Sequence, residues 1–434
     1  MGGTMPVREF ERSLHPRVMM YSQDGLGLGH MRRTTSIAAG LLRLRPDACA
    51  LTLADSRLGQ FFESRGHHDY IKLPSILKAG PGDWRAVGLP LAFADVHAMR
   101  RDLIRSAVLN FQPHVLLVDH IPHGAMGELL PALEALRDSG ADTKVVLGLR
   151  DILDAPEVVR GRWQAEGAYE AIERYYDIVL VYGKREVFDL AEQYHFPQKI
   201  VERMHYCGYV CTPETPRYAA RVRAQHLPGG NTETKLIVAM AGGGADAYPM
   251  MRALLDALPV IQKRQPVMLI LIAGPFMPDD QRRDLESRAR GLPARVRRSV
   301  SDTLSYMAAA DVLVSMAGYN TTMEALRTGT PTILVPRAGP SAEQRTRARL
   351  FSANGWVEMI DPDELDIDTI VEKVLVCLRR GAGSMAQERP DLRGLEAAAE
   401  RLSTLLPLAD SNDEVLDVPL KRQAPLRSSL QAAA

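Results

Sequence analysis

The sequence predicts an α/β protein made of two successive doubly wound domains that face a central cleft. Three observations lead to this prediction. The chain has 434 residues, more than a single hydrophobic core usually supports. Short apolar runs alternate with amphipathic runs, which is the pattern of a parallel sheet covered by helices. The alternation stops at a polar segment rich in Pro and Gly, residues 226–234, and then restarts, so we expect a linker there.

The first domain is predicted over residues 15–225. Short apolar runs predict its strands at 17–22, 48–54, 115–118, 144–149 and 178–181. Apolar residues spaced three or four positions apart predict helices, which we place at 32–44, 98–110 and 129–137. A loop over 25–30 joins the first strand to the first helix.

The second domain is predicted over residues 235–390. Its strands are expected at 235–240, 268–273, 311–314 and 332–335, and its helices include 251–262 and 303–309. A further helix is expected at 391–406, and the composition of 407–434 predicts a disordered tail. Ligands of open α/β sheets bind at the carboxyl ends of the strands, so both domains should present those ends to the cleft.

Net charge, cysteine content and hydropathy argue against several classes of protein. The formal net charge is zero, with 53 basic and 53 acidic residues, which argues against a nucleic-acid binder that neutralises phosphates. Cys207 and Cys211 lack a second pair of ligands, so neither a metal site nor a disulfide framework is predicted. No apolar run approaches the roughly twenty residues of a membrane span, and residues 1–13 lack the apolar core of a signal peptide. We expect a cytoplasmic protein with no metal and no cofactor.

The most informative segment is 315–336, SMAGYNTTMEALRTGTPTILVP. After an apolar strand, Gly318, Asn320 and Thr321 can free backbone N–H groups at a helix start, which favours binding of an anion. One helical turn later comes a single carboxylate, Glu324. This layout suits a nucleoside diphosphate, with the phosphates at the helix start and the ribose hydroxyls on the acid. The alternative is an ordinary strand–helix–strand unit of any α/β protein.

A glycine-rich loop follows the first strand of each predicted domain. The first loop reads GLGLGH and ends in His30, and the second consists of residues 242–244. Glycines let the backbone approach an anion or a sugar closely. The first loop is not a dinucleotide fingerprint because its third glycine comes one residue early, but Asp55, at the end of the second strand, keeps a nicotinamide enzyme open as an alternative. For the second loop the alternative is a tight strand–helix turn.

Polar side chains follow two neighbouring strands of the first domain. Asp119, His120 and His123 follow one strand, and Arg150 and Asp151 follow the next, so they should cluster at the cleft. A zinc site is the alternative, although the spacing does not fit a helical pair of histidines. No D-x-D pair for a magnesium-bound diphosphate is evident. The glycine loops and helix dipoles would then neutralise a leaving diphosphate.

Segment 315–336, together with the pair Glu343-Gln344, resembles the carboxy-terminal signature of the family 28 (MurG-like) nucleotide-sugar glycosyltransferases, typified by the N-acetylglucosaminyl transferase of peptidoglycan lipid intermediate synthesis. The resemblance implies the GT-B architecture, with two Rossmann-like domains and a last helix that returns to the first domain. It implies that Glu324 binds the ribose hydroxyls and that Gln344 binds the sugar. Glu343 departs from the amide or Asp of the closest relatives, which leaves the donor sugar undetermined.

The same family, and a related nucleotide-sugar hydrolase, carry a glycine loop that ends in Gly-His, as here. The resemblance implies a catalytic or orienting role for His30, with Asp119 as the other candidate base. It also implies nucleotide-sugar contacts at Gly27, Gly29, Gly242, Gly243, Gly244, Val300, Gly318, Asn320, Thr321, Glu324, Glu343 and Gln344. Acceptor contacts would involve His120, His123, Arg150 and Asp151.

The function implied is transfer of a sugar, a hexose or N-acetylhexosamine, from a UDP-sugar to an acceptor with inversion and without a metal. The acceptor is a small molecule or a lipid-linked sugar, and the residues do not distinguish these. Peripheral membrane contact is compatible with the sequence, but no basic amphipathic stretch requires it. Two alternatives remain, a nucleotide-sugar hydrolase and a non-catalytic nucleotide-sugar binding protein.

Overall fold

The computed structural model describes residues 15–23, 29–56, 66–80, 83–227, 233–381 and 390–408. The strands of the amino-terminal half are β1 Arg17–Ser22, β2 Cys49–Ala54, β3 His68–Lys72, β4 Ile76–Gly80, β5 Asp83–Ala86, β6 Val115–Asp119, β7 Lys144–Arg150, β8 Ile178–Tyr182 and β9 Met204–Tyr206. Seven of them form a parallel sheet in the order β3-β2-β1-β6-β7-β8-β9, and β4 and β5 pair as an antiparallel hairpin.

Helices cover both faces of this sheet. They are α1 Gly29–Leu44, α2 Phe93–Phe111, α3 Leu130–Asp138, α4 Pro156–Ala165, α5 Ala168–Tyr175, α6 Leu190–Gln193 and α7 Gln198–Val201. The next helix, α8 Ala219–His226, packs instead on the core of the carboxy-terminal half, where Val222 joins the same cluster as Leu236 and Val238. The central strands β6 and β8 are buried at every position, which explains why they read as continuous apolar runs rather than alternating ones.

The carboxy-terminal half repeats the plan. Its strands are β10 Lys235–Met240, β11 Val267–Ile272, β12 Ala294–Arg297, β13 Val312–Ser315, β14 Thr332–Leu334 and β15 Glu358–Met359, in the parallel order β12-β11-β10-β13-β14-β15. Its helices are α9 Tyr248–Arg264, α10 Asp279–Arg288, α11 Thr303–Ala309, α12 Tyr319–Thr328, α13 Glu343–Ala353 and α14 Ile367–Arg380, followed by α15 Gly394–Ser403.

Both sheets reverse their strand order at one point, between β1 and β6 and between β10 and β13. In open α/β sheets a crevice forms outside the carboxyl ends of the strands at such a switch point. Segments singled out in the sequence lie there, because Gly29 and His30 come after β1, the Asp119 cluster lies at the end of β6, the second glycine loop follows β10, and α12 follows β13.

The two halves pack against each other at these ends. Helix α15 lies on α1, where a Cβ added at Gly40 would come within 2.8 Å of the Leu395 side chain. Tyr319, in the first turn of α12, donates a hydrogen bond to the Tyr182 carbonyl of the other half and accepts one from the Val210 amide. One hydrophobic cluster includes residues of both halves. The domain boundaries themselves stay a prediction.

Several elements differ from those predicted. Helix α1 begins at Gly29 and not at 32, so Gly29 and His30 belong to its first turn and not to a loop. Strands β3, β9, β12 and β15 were not predicted, because they are short edge strands without a buried apolar run. Residues 24–28, which include Gly27, the central part of the predicted linker and nearly all of the predicted tail lie outside the described residues. None of the helices in the described ranges is long and apolar enough to cross a bilayer.

Candidate active site

His30, Asp119 and Arg33 form a buried cluster at the carboxyl end of the first sheet. Helix α1 carries His30 and Arg33 one turn apart, and Asp119 is the last residue of β6. The Asp119 Oδ2 atom lies 2.7 Å from His30 Nδ1 and 2.7 Å from Arg33 Nη2, and Oδ1 accepts two further hydrogen bonds from Arg33. The predicted pair His30 and Asp119 is therefore in contact, with Arg33 bound to the same carboxylate.

The charges decide which nitrogen of His30 can act as a base. Burial alone would raise the pKa of Asp119, but Arg33 and His30 outweigh it and lower the pKa to about 2. Asp119 is thus a carboxylate at neutral pH. Its Oδ2 lies 2.7 Å from His30 Nδ1, closer than Arg33 Nη2 at 2.9 Å, so we assign the Nδ1 proton to the bond with Asp119. With the proton placed on Nδ1, Nε2 carries the lone pair of the neutral ring. Arg33 holds Asp119 in place from between the rings of Tyr182 and Tyr319, which lie 5.6 and 5.5 Å from its guanidinium.

A cavity of about 620 Å³ opens beside this cluster. His30, His120 and His123 all contribute to its lining. The His120 ring lies 5.2 Å from the His30 ring, and burial together with Arg150 lowers its pKa well below the usual range, so His120 is neutral. His123 Nε2 lies 3.4 Å from a carboxylate oxygen of Glu166, which also lines the cavity.

Helix α12 brings its own polar groups to the opposite side of the cleft. Glu324 is 2% exposed and forms an ion pair of 2.6 Å with Arg32 of α1. Burial raises the pKa of Glu324, and Arg32 partly offsets that rise. Asn320 donates a 3.1 Å hydrogen bond to the Gly29 carbonyl, so the starts of α12 and α1 touch. A cavity of about 10 Å³ remains between Arg32, Asn320 and Glu324, so this side of the cleft is closed.

The second glycine loop lies against the same helix start. A Cβ added at Gly242 would lie 3.6 Å from the Thr321 hydroxyl, and Gly242 and Gly244 have φ of 55° and 88°. At Gly244 an added Cβ would come within 1.9 Å of the Ala273 carbonyl oxygen. Gly244 is therefore required by a close backbone contact, which supports the tight-turn explanation for this position, whereas Gly242 faces the helix start.

Arg150 and Asp151 are not among the described residues that line the cavity beside His30, and both are paired with side chains of the other half. Arg150 donates to both carboxylate oxygens of Glu343 at 2.8 and 2.9 Å, and Asp151 accepts two hydrogen bonds from Arg347. Glu343 also accepts from Arg347 at 2.9 Å. These four side chains join β7 and the loop after it to α13, so Arg150, Asp151 and Glu343 have partners across the cleft, and their binding roles stay predictions.

Three other predicted residues have clear positions. Gln344 accepts a hydrogen bond from the Arg337 amide through its side-chain oxygen, at 3.2 Å. Val300 precedes α11 and packs partly buried on the core of the carboxy-terminal half. Asp55 is fully buried, and Arg100 Nη1 lies 3.4 Å from its carboxylate, so Asp55 does not face the cleft as a nicotinamide ribose acid would.

Three arginines of the site were missed from the sequence. Arg32, Arg33 and Arg347 each bind a carboxylate that the sequence had singled out, namely Glu324, Asp119 and Asp151. The signal that could have found Arg33 is its place one turn after His30, on the same face of a helix. Across the described ranges, no three His, Cys, Asp or Glu side chains group as metal ligands would.

Part of the chain is similar to a known protein family. Residues 237–402 match the Glycosyltransferase family 28 C-terminal domain. The chain is 33% identical over 194 residues to the UDP-N-acetylglucosamine–N-acetylmuramyl-(pentapeptide) pyrophosphoryl-undecaprenol N-acetylglucosamine transferase of Acidothermus cellulolyticus, covering 44% of this chain and 52% of the relative. The chain therefore spans about half the length of that curated relative.

Solved structures confirm the predicted GT-B architecture. MurG of Acinetobacter baumannii superposes with a TM-score of 0.55 at 16% identity, over 90% of this chain and 99% of that one. A UDP-N-acetylglucosamine 2-epimerase superposes with a TM-score of 0.53 at 11% identity, over 90% and 94% of the two chains. Identities this low show the fold alone, and the two neighbours are named as different enzymes.

Proposed function

We propose that this chain, which carries a family 28 glycosyltransferase carboxy-terminal domain on a GT-B fold, transfers a sugar from a UDP-sugar to an acceptor hydroxyl with inversion. The observation that carries the proposal is the contact between the starts of α1 and α12. Through it, the His30–Asp119 pair of one half and Glu324 of the other lie on either side of one cleft. A base on one side of the cleft and a ribose-binding carboxylate on the other suit an acceptor and a donor that meet between the halves.

The donor nucleotide would lie on the carboxy-terminal half. Glu324 is paired with Arg32 through Oε1, and a ribose hydroxyl would bind the carboxylate by sharing it with Arg32 or by replacing Arg32. The start of α12 and the backbone at Gly242 would face the diphosphate, because helix starts and glycine turns attract anions. We place the uracil near Val300, as in the family that the sequence resembles. Because the cleft is closed at Glu324, donor entry requires the halves to separate or Arg32 to move.

His30 would act as the base on the amino-terminal side. Its Nε2 removes the proton of the acceptor hydroxyl as the oxygen attacks the anomeric carbon, and the bond from that carbon to the diphosphate oxygen breaks. Asp119 stabilises the imidazolium that forms, and Arg33 keeps Asp119 ionised and oriented. Attack on the face opposite the leaving UDP inverts the anomeric carbon.

Charge that develops on UDP would be stabilised without a metal. The α12 start and the Gly242 loop supply backbone dipoles, and Arg32 would supply a cation once ribose binding weakens its pair with Glu324. Gln344 and Glu343 would contact the sugar. Glu343 is held by Arg150 and Arg347, so sugar hydroxyls would have to share that carboxylate with them.

Transfer is favoured over hydrolysis of the nucleotide sugar by one feature of the site. The same His30–Asp119 pair could activate water, but the neighbouring cavity of about 620 Å³ has room for an acceptor molecule far larger than water. We also propose a cytoplasmic location, where UDP-sugars are available.

The proposal is tested by His30→Ala, with His195→Ala, an exposed histidine that contacts Arg160, as the matched control. His30→Ala should lower kcat by about 10²–10⁴ and leave UDP affinity nearly unchanged, because the nucleotide sits on the other half. Turnover of His30→Ala within threefold of the parent protein, at unchanged melting temperature, would remove His30 from the reaction.

A further inference from the structure

The residues that line the cavity beside His30 favour a particular class of ligand, which the sugar-transfer reaction alone does not specify. Every described residue that lines it belongs to the amino-terminal half, so an acceptor could be bound there independently of the donor. Its volume of about 620 Å³ lies within the range of pockets that enclose drug-sized ligands.

One wall of the cavity is apolar. Leu77 and Trp84 come from the hairpin of β4 and β5, Met126 from the loop after β6, and Leu130 from the start of α3. Trp84 is stacked on Phe93 of α2, with ring centroids 6.4 Å apart, which fixes the plane of the indole. A flat apolar surface of this kind is complementary to a ring system in a ligand.

The charged part of the lining carries little net charge. Arg162, on α4, and Glu166, directly after that helix, contribute one positive and one negative charge, and the lining histidine His120 is neutral. Among the described lining residues Arg162 is the sole Lys or Arg, and the Glu166 carboxylate beside it opposes an anion. A diphosphate group would be poorly balanced here, since binding two phosphates usually requires several cations or backbone amides.

The loop that shapes the cavity floor is held in a fixed, uncommon conformation. His120, Gly124, Met126 and Gly127 all have positive φ, of 80°, 70°, 52° and 78°. Such conformations persist only where the surrounding structure determines them, and they cluster at ligand sites. His123 Nδ1 bonds the Gly124 carbonyl at 2.7 Å and secures this turn. The cavity is therefore preformed.

We propose that the acceptor is a compact hydroxylated molecule with a flat apolar ring body, aromatic or fused-ring, which binds whole in this cavity with its hydroxyl towards His30. The ring lies against the apolar side chains of Trp84, Met126 and Leu130. That the ligand is a sugar acceptor rests on the proposed transferase function, whereas its chemical class rests on the residues that line the cavity. A sugar linked to a polyprenyl diphosphate is the competing class.

The test uses 7-hydroxycoumarin as the probe and measures its binding to the full chain by calorimetry, without donor. We expect saturable binding, weakened about tenfold by Trp84→Ala and by Met126→Glu. Met99→Glu, an exposed methionine on α2 that is not among the lining residues, is the matched control and should change nothing. Absence of binding at millimolar probe, or binding that both cavity variants leave intact, would overturn the inference.

Transfer assays on the same samples separate this inference from the function. Each protein is given UDP-sugars with 7-hydroxycoumarin, free N-acetylglucosamine or a polyprenyl-diphosphate-linked sugar in detergent. Faster transfer to the coumarin supports the inference, and transfer to the lipid-linked sugar alone overturns it while the transferase function stands. Coumarin binding in the cavity without turnover of any UDP-sugar would instead overturn the transferase proposal and support the ligand class of the cavity.

Discussion

Replacing Asp119 by Asn removes one charge from the centre of the site and leaves its shape unchanged. The lowering of the Asp119 pKa from 3.8 to about 2 means that the fold favours the carboxylate over the acid by about 2 kcal/mol. The variant also leaves Arg33, which is 3% exposed, as a buried cation without its counter-ion. Breaking a buried ion pair costs about 3–5 kcal/mol, and the amide oxygen recovers part of it. We expect the free energy of unfolding to fall by about 3 kcal/mol.

The effect on catalysis is separable from the effect on stability. If the new amide oxygen in Asp119→Asn turns to Arg33, the NH2 group faces His30 Nδ1 and favours the tautomer with the proton on Nε2. That tautomer has no lone pair towards the acceptor, and no carboxylate then stabilises the imidazolium. We expect kcat to fall by about 10²–10⁴ in folded protein, with donor KM changed much less.

The assay combines urea unfolding with initial rates of UDP release. Glu128→Gln is the matched control, because Glu128 is a fully buried carboxylate with two hydrogen bonds of 2.6 Å from Arg100, away from His30. It should lose comparable stability and keep kcat within a few-fold. Asp119→Asn with kcat within threefold of the parent, or with no loss of unfolding free energy, would refute the reasoning.

Three further predictions follow from the same geometry. Glu324→Gln should weaken UDP binding by about 1.5–3 kcal/mol, measured by calorimetry, and an unchanged dissociation constant in a stable variant would exclude Glu324 from the nucleotide site. Turnover should survive EDTA, and complete loss that Mg²⁺ or Mn²⁺ restores would contradict the metal-independent mechanism. Gly244→Ala should lower the melting temperature strongly, since its Cβ would meet the Ala273 carbonyl oxygen at 1.9 Å, whereas Gly318→Ala, with no atom within 4 Å, should be tolerated.

Much of the fold could be predicted because parallel strands buried on both faces are continuous apolar runs. Strands such as 17–22 and 235–240 were placed with their observed bounds for this reason. Short edge strands such as β12 and β15 escaped prediction, because none of their residues is buried. Their pairing depends on a neighbouring strand that is distant in sequence, which local patterning does not reveal.

The polar residues of the site that follow strands could be predicted from the sequence. The ion pairs between residues that are distant in the sequence could not. Asp119 was singled out because it follows an apolar strand, and His30 because it ends the glycine loop after the first strand, as in the family that the sequence resembles. The arginines that bind Asp119 and Asp151 were not predicted. Arg33 is 86 positions away from Asp119 in the sequence, and Arg347 is 196 positions away from Asp151. A charged residue on a predicted helix ordinarily faces solvent, and only tertiary packing shows that Arg347 is fully buried.

The most direct test of the central claim is a donor screen by native mass spectrometry. The folded chain is incubated with UDP-, ADP-, GDP- and dTDP-sugars, with and without 7-hydroxycoumarin, and the retained nucleotide sugar and released nucleotide are identified. We predict retention of a UDP-sugar, appearance of free UDP, and an acceptor that gains the mass of one sugar. Retention of a different nucleotide sugar, or of none by protein that is folded, would contradict the account.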